Sequence, residues 1–151
     1  MPVTMQQVLA VIDKDEPDYT RAAQLGPDAL THLQQIVDAD DPLRASKAAY
    51  TASLIPGPGS VELLRKAAEH PDPQIRVAVA HALRNMADAA SASLLTRLLE
   101  DQDPGVRKVT LGTVGELGRP ELRDQVTQIA EQDPEDFLRH MAAETVPRLQ
   151  R

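Results

Sequence analysis

At 151 residues with a net charge of −7, the chain is one domain by length, and its acidity disfavours a nucleic-acid partner, which calls for a basic stripe. No cysteine occurs, so disulfides, thiol nucleophiles and cysteine-bound zinc are excluded together. Aromatics are only 2% of residues (Tyr19, Tyr50 and Phe137), so a core must be built from Ala, Leu, Val and Ile.

The N-terminus Met1-Pro2-Val3-Thr4 has no basic stretch followed by an apolar run, and no apolar run is long enough to span a bilayer. A cytoplasmic protein without a membrane partner is the expectation. Residues 1–26 read as a shortened helical hairpin. Thr4 caps a helix through Ile12, and Glu16-Pro17 starts a second that ends at Leu25-Gly26.

From residue 27 a period of 31 governs the chain. Asp41-Pro42, Asp72-Pro73 and Asp103-Pro104 are 31 apart, and Asp133-Pro134 follows 30 later. Before each dipeptide runs an apolar face at i, i+3, i+4: Leu33, Ile36 and Val37, then Leu64, Ala67 and Ala68, then Leu95, Leu98 and Leu99, then Val126, Ile129 and Ala130. After it comes a second such face, with Ile75, Val79, Leu83 and Met86 recurring as Val106, Thr110, Val114 and Leu117. The last unit repeats it one residue late as Leu138, Ala142, Val146 and Leu149.

Each unit is thus helix A, an Asp-Pro turn and helix B. Asp caps the start of helix B, and Pro fits its first position, where a missing N–H costs nothing. Helix A is predicted over about 28–38, 60–69, 89–100 and 120–131, and helix B over about 42–55, 73–87, 104–117 and 135–149. The links Gly26-Pro27, Gly57-Pro58, Asp88-Ala89 and Arg119-Pro120 separate the units. The domain 1–151 therefore divides into 1–26, 27–57, 58–88, 89–118 and 119–151.

These residues resemble the HEAT repeat in the short form seen in HEAT-like bilin lyases. Asp72-Pro73-Gln74-Ile75-Arg76 and Asp103-Pro104-Gly105-Val106-Arg107 carry the family's turn. Leu138-Arg139 matches after two extra residues, and Asp41-Pro42-Leu43-Arg44 with one missing. The resemblance implies an all-α, right-handed α-solenoid of about five antiparallel hairpins, with helices B on the concave side. It also implies a structural ladder between neighbouring repeats: Asp72 and Asp103 with Arg76 and Arg107, and less strictly Asp41 with Arg44 and Asp133 with Arg139.

In the unit 27–57 the strict period places Ala48, Ala52 and Ile55 in the core and Arg44 where Ile75 stands. The alternative register buries Lys47 unpaired, at a cost of several kcal/mol, so the strict one is preferred.

The concave face is a solenoid's usual binding surface. Its rows are Ser46, Val77, Lys108 and His140; Tyr50, His81, Gly112 and Glu144; Ser53, Arg84, Gly115 and Pro147; and Leu54, Asn85, Glu116 and Arg148. Candidate partner-binding residues are Tyr50, Val77, His81, Arg84, Lys108, His140 and Glu144. Tyr and Arg commonly anchor interfaces, although Tyr50 is equally read as filler between alanines. His140 and Glu144 are spaced i, i+4 and could reach one metal ion, but a solvated pair is the better reading because no third ligand lies near.

Gly112, Gly115 and Gly118 read as sites of close packing, or of a partner's close approach. Pro147 should kink the last helix. Leu138, Met141, Val146 and Leu149 suggest an apolar C-terminal end, open to a homodimer through that helix.

No catalytic residues, cofactor or metal are assigned. The predicted function is a non-enzymatic protein-interaction scaffold binding an unidentified protein through the concave face. The alternatives are an accessory or catalytic subunit like the bilin lyases and, last, nucleic-acid binding through Arg76, Arg84, Arg107 and Lys108. HEAT-like hydroxylases carry repeated His-Glu dipeptides and HEAT-like glycosylases a basic, aromatic groove; this chain has neither.

Overall fold

The computed structural model describes residues 2–86 and 89–149. Five hairpins follow one another: α1 (Met5–Ile12) with α2 (Tyr19–Gln24), α3 (Leu30–Asp38) with α4 (Pro42–Ser53), α5 (Pro58–Ala67) with α6 (Pro73–Ala82), α7 (Ala89–Leu98) with α8 (Pro104–Leu117), and α9 (Arg123–Gln132) with α10 (Asp136–Thr145). Short 3-10 turns lead into α3 and α9 and extend α6 and α10. The fold is the expected all-α stack of hairpins. The predicted Asp88-Ala89 link, the end of the predicted helix B 73–87 and the domain limits Met1 and Arg151 touch residues outside those described.

The caps form as the local chemistry dictates. Thr4 and Gln7 make a reciprocal capping box at α1, with Gln7 N–H to Thr4 Oγ1 at 3.2 Å and Thr4 N–H to Gln7 Oε1 at 2.8 Å. Asp41, Asp72 and Asp103 cap α4, α6 and α8, each followed by Pro at the first helical position. One start differs from expectation. The second helix begins after Asp18, whose carboxylate accepts the Arg21 N–H at 3.1 Å, rather than at Glu16-Pro17. The last helix B begins at Asp136, next to the expected 135, with Glu135 rather than Asp133 at its cap.

Gly26 and Gly57 end their units with φ of 75° and 115°, each just before the Pro that opens the next A segment. A side chain at either φ would be strained, so glycine is what makes this sharp link possible.

The apolar rows meet along the stack. Leu33, Leu64, Leu95 and Val126 are fully buried, as are Ile75, Val106 and Leu138. In α4 the strict register holds for Ala48, Ala52 and Ile55, which are buried, as is Ala49. It does not hold for Arg44, which is half-exposed at Ile75's place while Ala45 beside it is buried. Lys47 is half-exposed with its ammonium donating to the Lys14 carbonyl at 2.8 Å. Four alanines let α4 sit close against α6. Successive B helices pack more closely than successive A helices, which places the B helices on the inner side of the stack.

Two expectations about the C-terminal end change. Leu138 and Leu149 are fully buried, and Met141 and Val146 half-buried. The reason is the final 3-10 turn Val146–Leu149, which folds back against α8 and α9 and seats Leu149 in the core. That removes the apolar basis for a homodimer through this helix. Pro147 lies in that turn, where the helix gives way after Thr145.

Candidate interaction groove on the B helices

The charged residues of the turns sort first, because they determine what is left free on the inner face. Arg76 Nε and Nη2 grip Asp101 at 2.9 and 3.1 Å, and its Nη1 donates to the His70 and Pro71 carbonyls. Arg107 repeats this on Asp133 at 2.9 and 3.3 Å, with Nη1 on the Asp101 and Gln102 carbonyls. A ladder between neighbouring repeats therefore exists, and Arg76 and Arg107 are its cations.

Its acids are not the expected Asp72 and Asp103, and the expected Asp133 serves Arg107 rather than Arg139. Asp72 and Asp103 spend their carboxylates on capping, Asp72 on the Gln74 N–H and Asp103 on the Gly105 and Val106 N–H groups. The rung acid stands two residues before the cap of the next unit. There Asp101 and Asp133 also accept the cap residue's own N–H, from Asp103 and Glu135 at 2.9 Å each.

His70 occupies the same place in its unit, its Nδ1 accepting the Asp72 N–H at 3.0 Å. Arg139 bonds the Asp133 carbonyl at 2.6 Å and pairs with Asp136. Arg44 makes no rung with Asp41, which caps it through the backbone; its guanidinium reaches back to Asp13 at 2.8 and 2.9 Å.

On the inner face Tyr50 is the centre of an aromatic tier. Its ring meets Tyr19 edge-on at a centroid distance of 4.7 Å and lies 5.4 Å from His81 at a tilt of 31°. Such contacts contribute about 0.5–1.5 kcal/mol beyond the area they bury. Burial, and secondarily Tyr50, raise the Tyr19 phenol pKa.

Burial, followed by the charge of Arg84, lowers the His81 pKa, while Glu116 opposes them. Arg84 Nη2 lies 2.9 Å from the ring's Nδ1, and a guanidinium can only donate, so that nitrogen accepts. Arg84 in turn reaches Glu116 of α8 at 3.2 Å, so its charge is matched within the protein.

A groove of about 480 Å³ opens along this tier. Tyr19, Leu43, Lys47, Tyr50, Val77 and His81 line it, with Ser46, Gln74, Ala78 and Val109 completing the wall. Leu43 stands at its rim with 68% of its surface exposed; among the described residues the other exposed large apolar side chain is Phe137, on α10.

Of the predicted binding residues, Tyr50, Val77 and His81 come together here, and Arg84 touches His81 beside it. Lys108 is exposed on α8 outside the wall, and His140 and Glu144 are exposed on α10, away from it. His140 Nδ1 lies 2.9 Å from the Asp136 carbonyl, and among the described residues no group of three His, Asp or Glu side chains is placed to hold a metal ion.

Gly115 packs against Thr145 and Arg148 with 3.4 Å of room for a side-chain carbon, and Gly118 caps α8 at φ 62°; Gly112 has nothing nearer than Met141 at 3.9 Å. The turn thus accounts for Gly118, while a side-chain carbon at Gly115 would stand at ordinary contact distance from α10 and Arg148. Tyr19 was missed as a site residue, although Tyr19, Tyr50 and His81 are 31 residues apart and so share one row.

The family model for HEAT repeats matches residues 30–111. This chain belongs to the HEAT repeat family. Two solved structures share the fold over nearly the whole chain. One is in the complex of CpcE and CpcF of phycocyanin lyase from Nostoc sp. PCC7120, with a TM-score of 0.62 and 20% identity over 99% of this chain and 66% of that one. The other is an engineered protein, with a TM-score of 0.61 and 17% identity over 96% of this chain and 72% of that one. The HEAT protein described here thus spans just under two thirds of the lyase-complex chain. No curated protein matches the sequence.

Proposed function

We propose that this HEAT repeat protein is a non-enzymatic interaction scaffold that binds a protein partner through the inner face of its B helices. The observation that carries the reading is the groove itself: an apolar cleft across consecutive B helices, floored by Tyr19, Tyr50 and His81 and rimmed by an exposed leucine. Aromatic floors with an apolar rim are where interface energy concentrates.

The rest of the charged surface is consistent with this use. Arg76 and Arg107 are committed to the ladder and Arg84 to Glu116, which leaves few cations for a nucleic-acid backbone. The likeness to a phycocyanin lyase complex is one of fold; what it adds is that a chain of this architecture is found in a complex with another protein.

The test is affinity capture from the native cell extract with the wild-type chain and with Leu43→Ser combined with Val77→Ser. Both changes remove apolar groove surface without touching the ladder. A partner held by the wild type and lost by the variant, at matched melting temperature, is the expected result. A partner retained by both places binding on another face.

A further inference from the structure

We infer that the groove is built for a partner segment that presents an apolar side chain next to a carboxylate: an acidic, apolar peptide stretch rather than a basic one. This rests on the scaffold reading above and specifies what the partner looks like.

The inference begins with a mismatch. The chain has 23 Asp and Glu residues, yet none of the ten residues lining the groove is acidic. The one charge in the wall is Lys47. Its ammonium donates to the neutral carbonyl of Lys14 at 2.8 Å, and no carboxylate pairs with it among the described residues, so the positive charge is uncompensated.

A second free cation extends the first. Ser46 and Val77 line the groove in one row of the repeat, and the next residue of that row, 31 further on, is Lys108. Lys108 is exposed on α8, and none of the ion pairs among the described residues includes it.

The neighbouring acids, by contrast, are already engaged. Asp13 holds Arg44, Asp18, Asp41 and Asp72 cap the starts of α2, α4 and α6, and Glu116 holds Arg84. Asp15 and Glu16, exposed in the α1–α2 turn, do not line the groove.

A basic ligand would meet Lys47 with no acid in the wall to offset it, and a like-charge contact in a half-enclosed apolar cleft is unfavourable. A carboxylate would find Lys47 in the wall, with the aromatic tier taking the adjacent apolar side chain, and a second acid further along the segment would face Lys108 on α8. The volume suits a few side chains and not a folded domain, which makes the occupant a short segment anchored by one or two residues.

The experiment is selection of a phage-displayed random peptide library against the full chain, followed by affinity measurement with synthetic copies of the enriched peptides. The expected outcome is enrichment of Asp or Glu beside Leu, Phe or Trp. Binding should fall about three- to thirty-fold in Lys47→Gln with Lys108→Gln, the loss of two exposed charge contacts. Lys66→Gln, on the outer helix α5, should bind like wild type, and thermal melts of every variant keep folding separate from binding.

Enrichment of Lys and Arg, absence of charge bias, or indifference to the two lysines overturns the inference. A library that yields no binder overturns it too. Acidic, apolar peptides that bind Leu43→Ser with Val77→Ser as tightly as wild type would sink the groove reading beneath it instead.

Discussion

Arg107 with Asp133 and Arg44 with Asp13 are the same chemical pair at two places in one stack, and they do different work. The first is enclosed, its side chains 10% and 4% exposed; the second lies open, at 42% and 35%. The enclosed Arg also satisfies two turn carbonyls, and its Asp also accepts the Glu135 N–H, so each partner is held by several bonds. The open pair is a single fork between the first two hairpins. Position in the turn makes the difference. Arg107 stands four residues after its cap, where the side chain leans over its own turn, whereas Arg44 stands three after Asp41 and the buried place beside it is taken by Ala45.

The largest way to break the comparison is Asp133→Ala. It strands a buried guanidinium and an N–H group, so the expected loss is about 3–5 kcal/mol, read as a lower urea midpoint. A loss near that of an ordinary surface substitution would mean that water compensates Arg107 and that the rung is not an enclosed pair.

A next, smaller effect comes from building a rung where none exists. Ala45→Arg puts the cation four residues after Asp41, but the acid position of the following unit is held by His70, and forcing the side chain into a packed site costs about 1–3 kcal/mol. Ala45→Arg with His70→Asp supplies both halves. A double-mutant cycle should return a favourable coupling of about 0.5–3 kcal/mol. No coupling would show that the Ala-rich contact of α4 with α6 is too close to admit the ladder.

These two predictions also mark what could be read from sequence. The 31-residue period fixed the hairpins, the buried rows and the register of α4 from Ala48 onward, because each apolar row has only one face on which to be buried. The acids of the ladder were not legible. Asp72 and Asp103 have two competing uses, and the local one wins: capping needs no distant partner and is reached within the same turn. Asp101 and Asp133 are distinguished only by the Arg that arrives from the preceding unit, 25 or 26 residues earlier.

The groove was half legible. The row Tyr50–His81 was visible, but its first member, Tyr19, though 31 residues before Tyr50, lies in the shortened hairpin, which lacks the Asp-Pro turn that marks the later units. The apolar C-terminal end failed as an expectation because a sequence row does not reveal that the final 3-10 turn folds inward over α9.

His81 gives a pH-dependent contrast between the tier and the ladder. Its pKa lies below the ordinary value of 6.5, through burial first and Arg84 second. The unfolded chain therefore binds the proton more readily than the folded one. The stability that the neutral ring contributes is complete above pH about 6.5 and is lost as pH falls through the lower, folded value. Urea midpoints from pH 7.5 down to 5 should thus fall more steeply for wild type than for His81→Phe, which keeps a ring and cannot titrate. Parallel curves would mean that the tier holds the protonated ring as well as the neutral one. Arg84 and Glu116, the charged groups facing the imidazole, are present in both proteins, so the difference between the curves belongs to the ring.

The smallest expected effect is that of Asp13→Asn. The pair it breaks is exposed on both sides, Arg44 can return to water, and salt already screens the attraction at physiological ionic strength. The melting temperature should be indistinguishable from wild type at 0.15 M salt, with any difference emerging only as salt is lowered. A large, salt-insensitive drop would show that the fork to Asp13 is what docks the first hairpin. The contacts of that hairpin argue otherwise: Val8, Val11, Ile12 and Ala22 are buried, and Tyr19 rests on Tyr50. Apolar burial and the aromatic tier suffice to hold it, which leaves the Arg44–Asp13 fork free to vary while Tyr19 stays in place at the mouth of the groove.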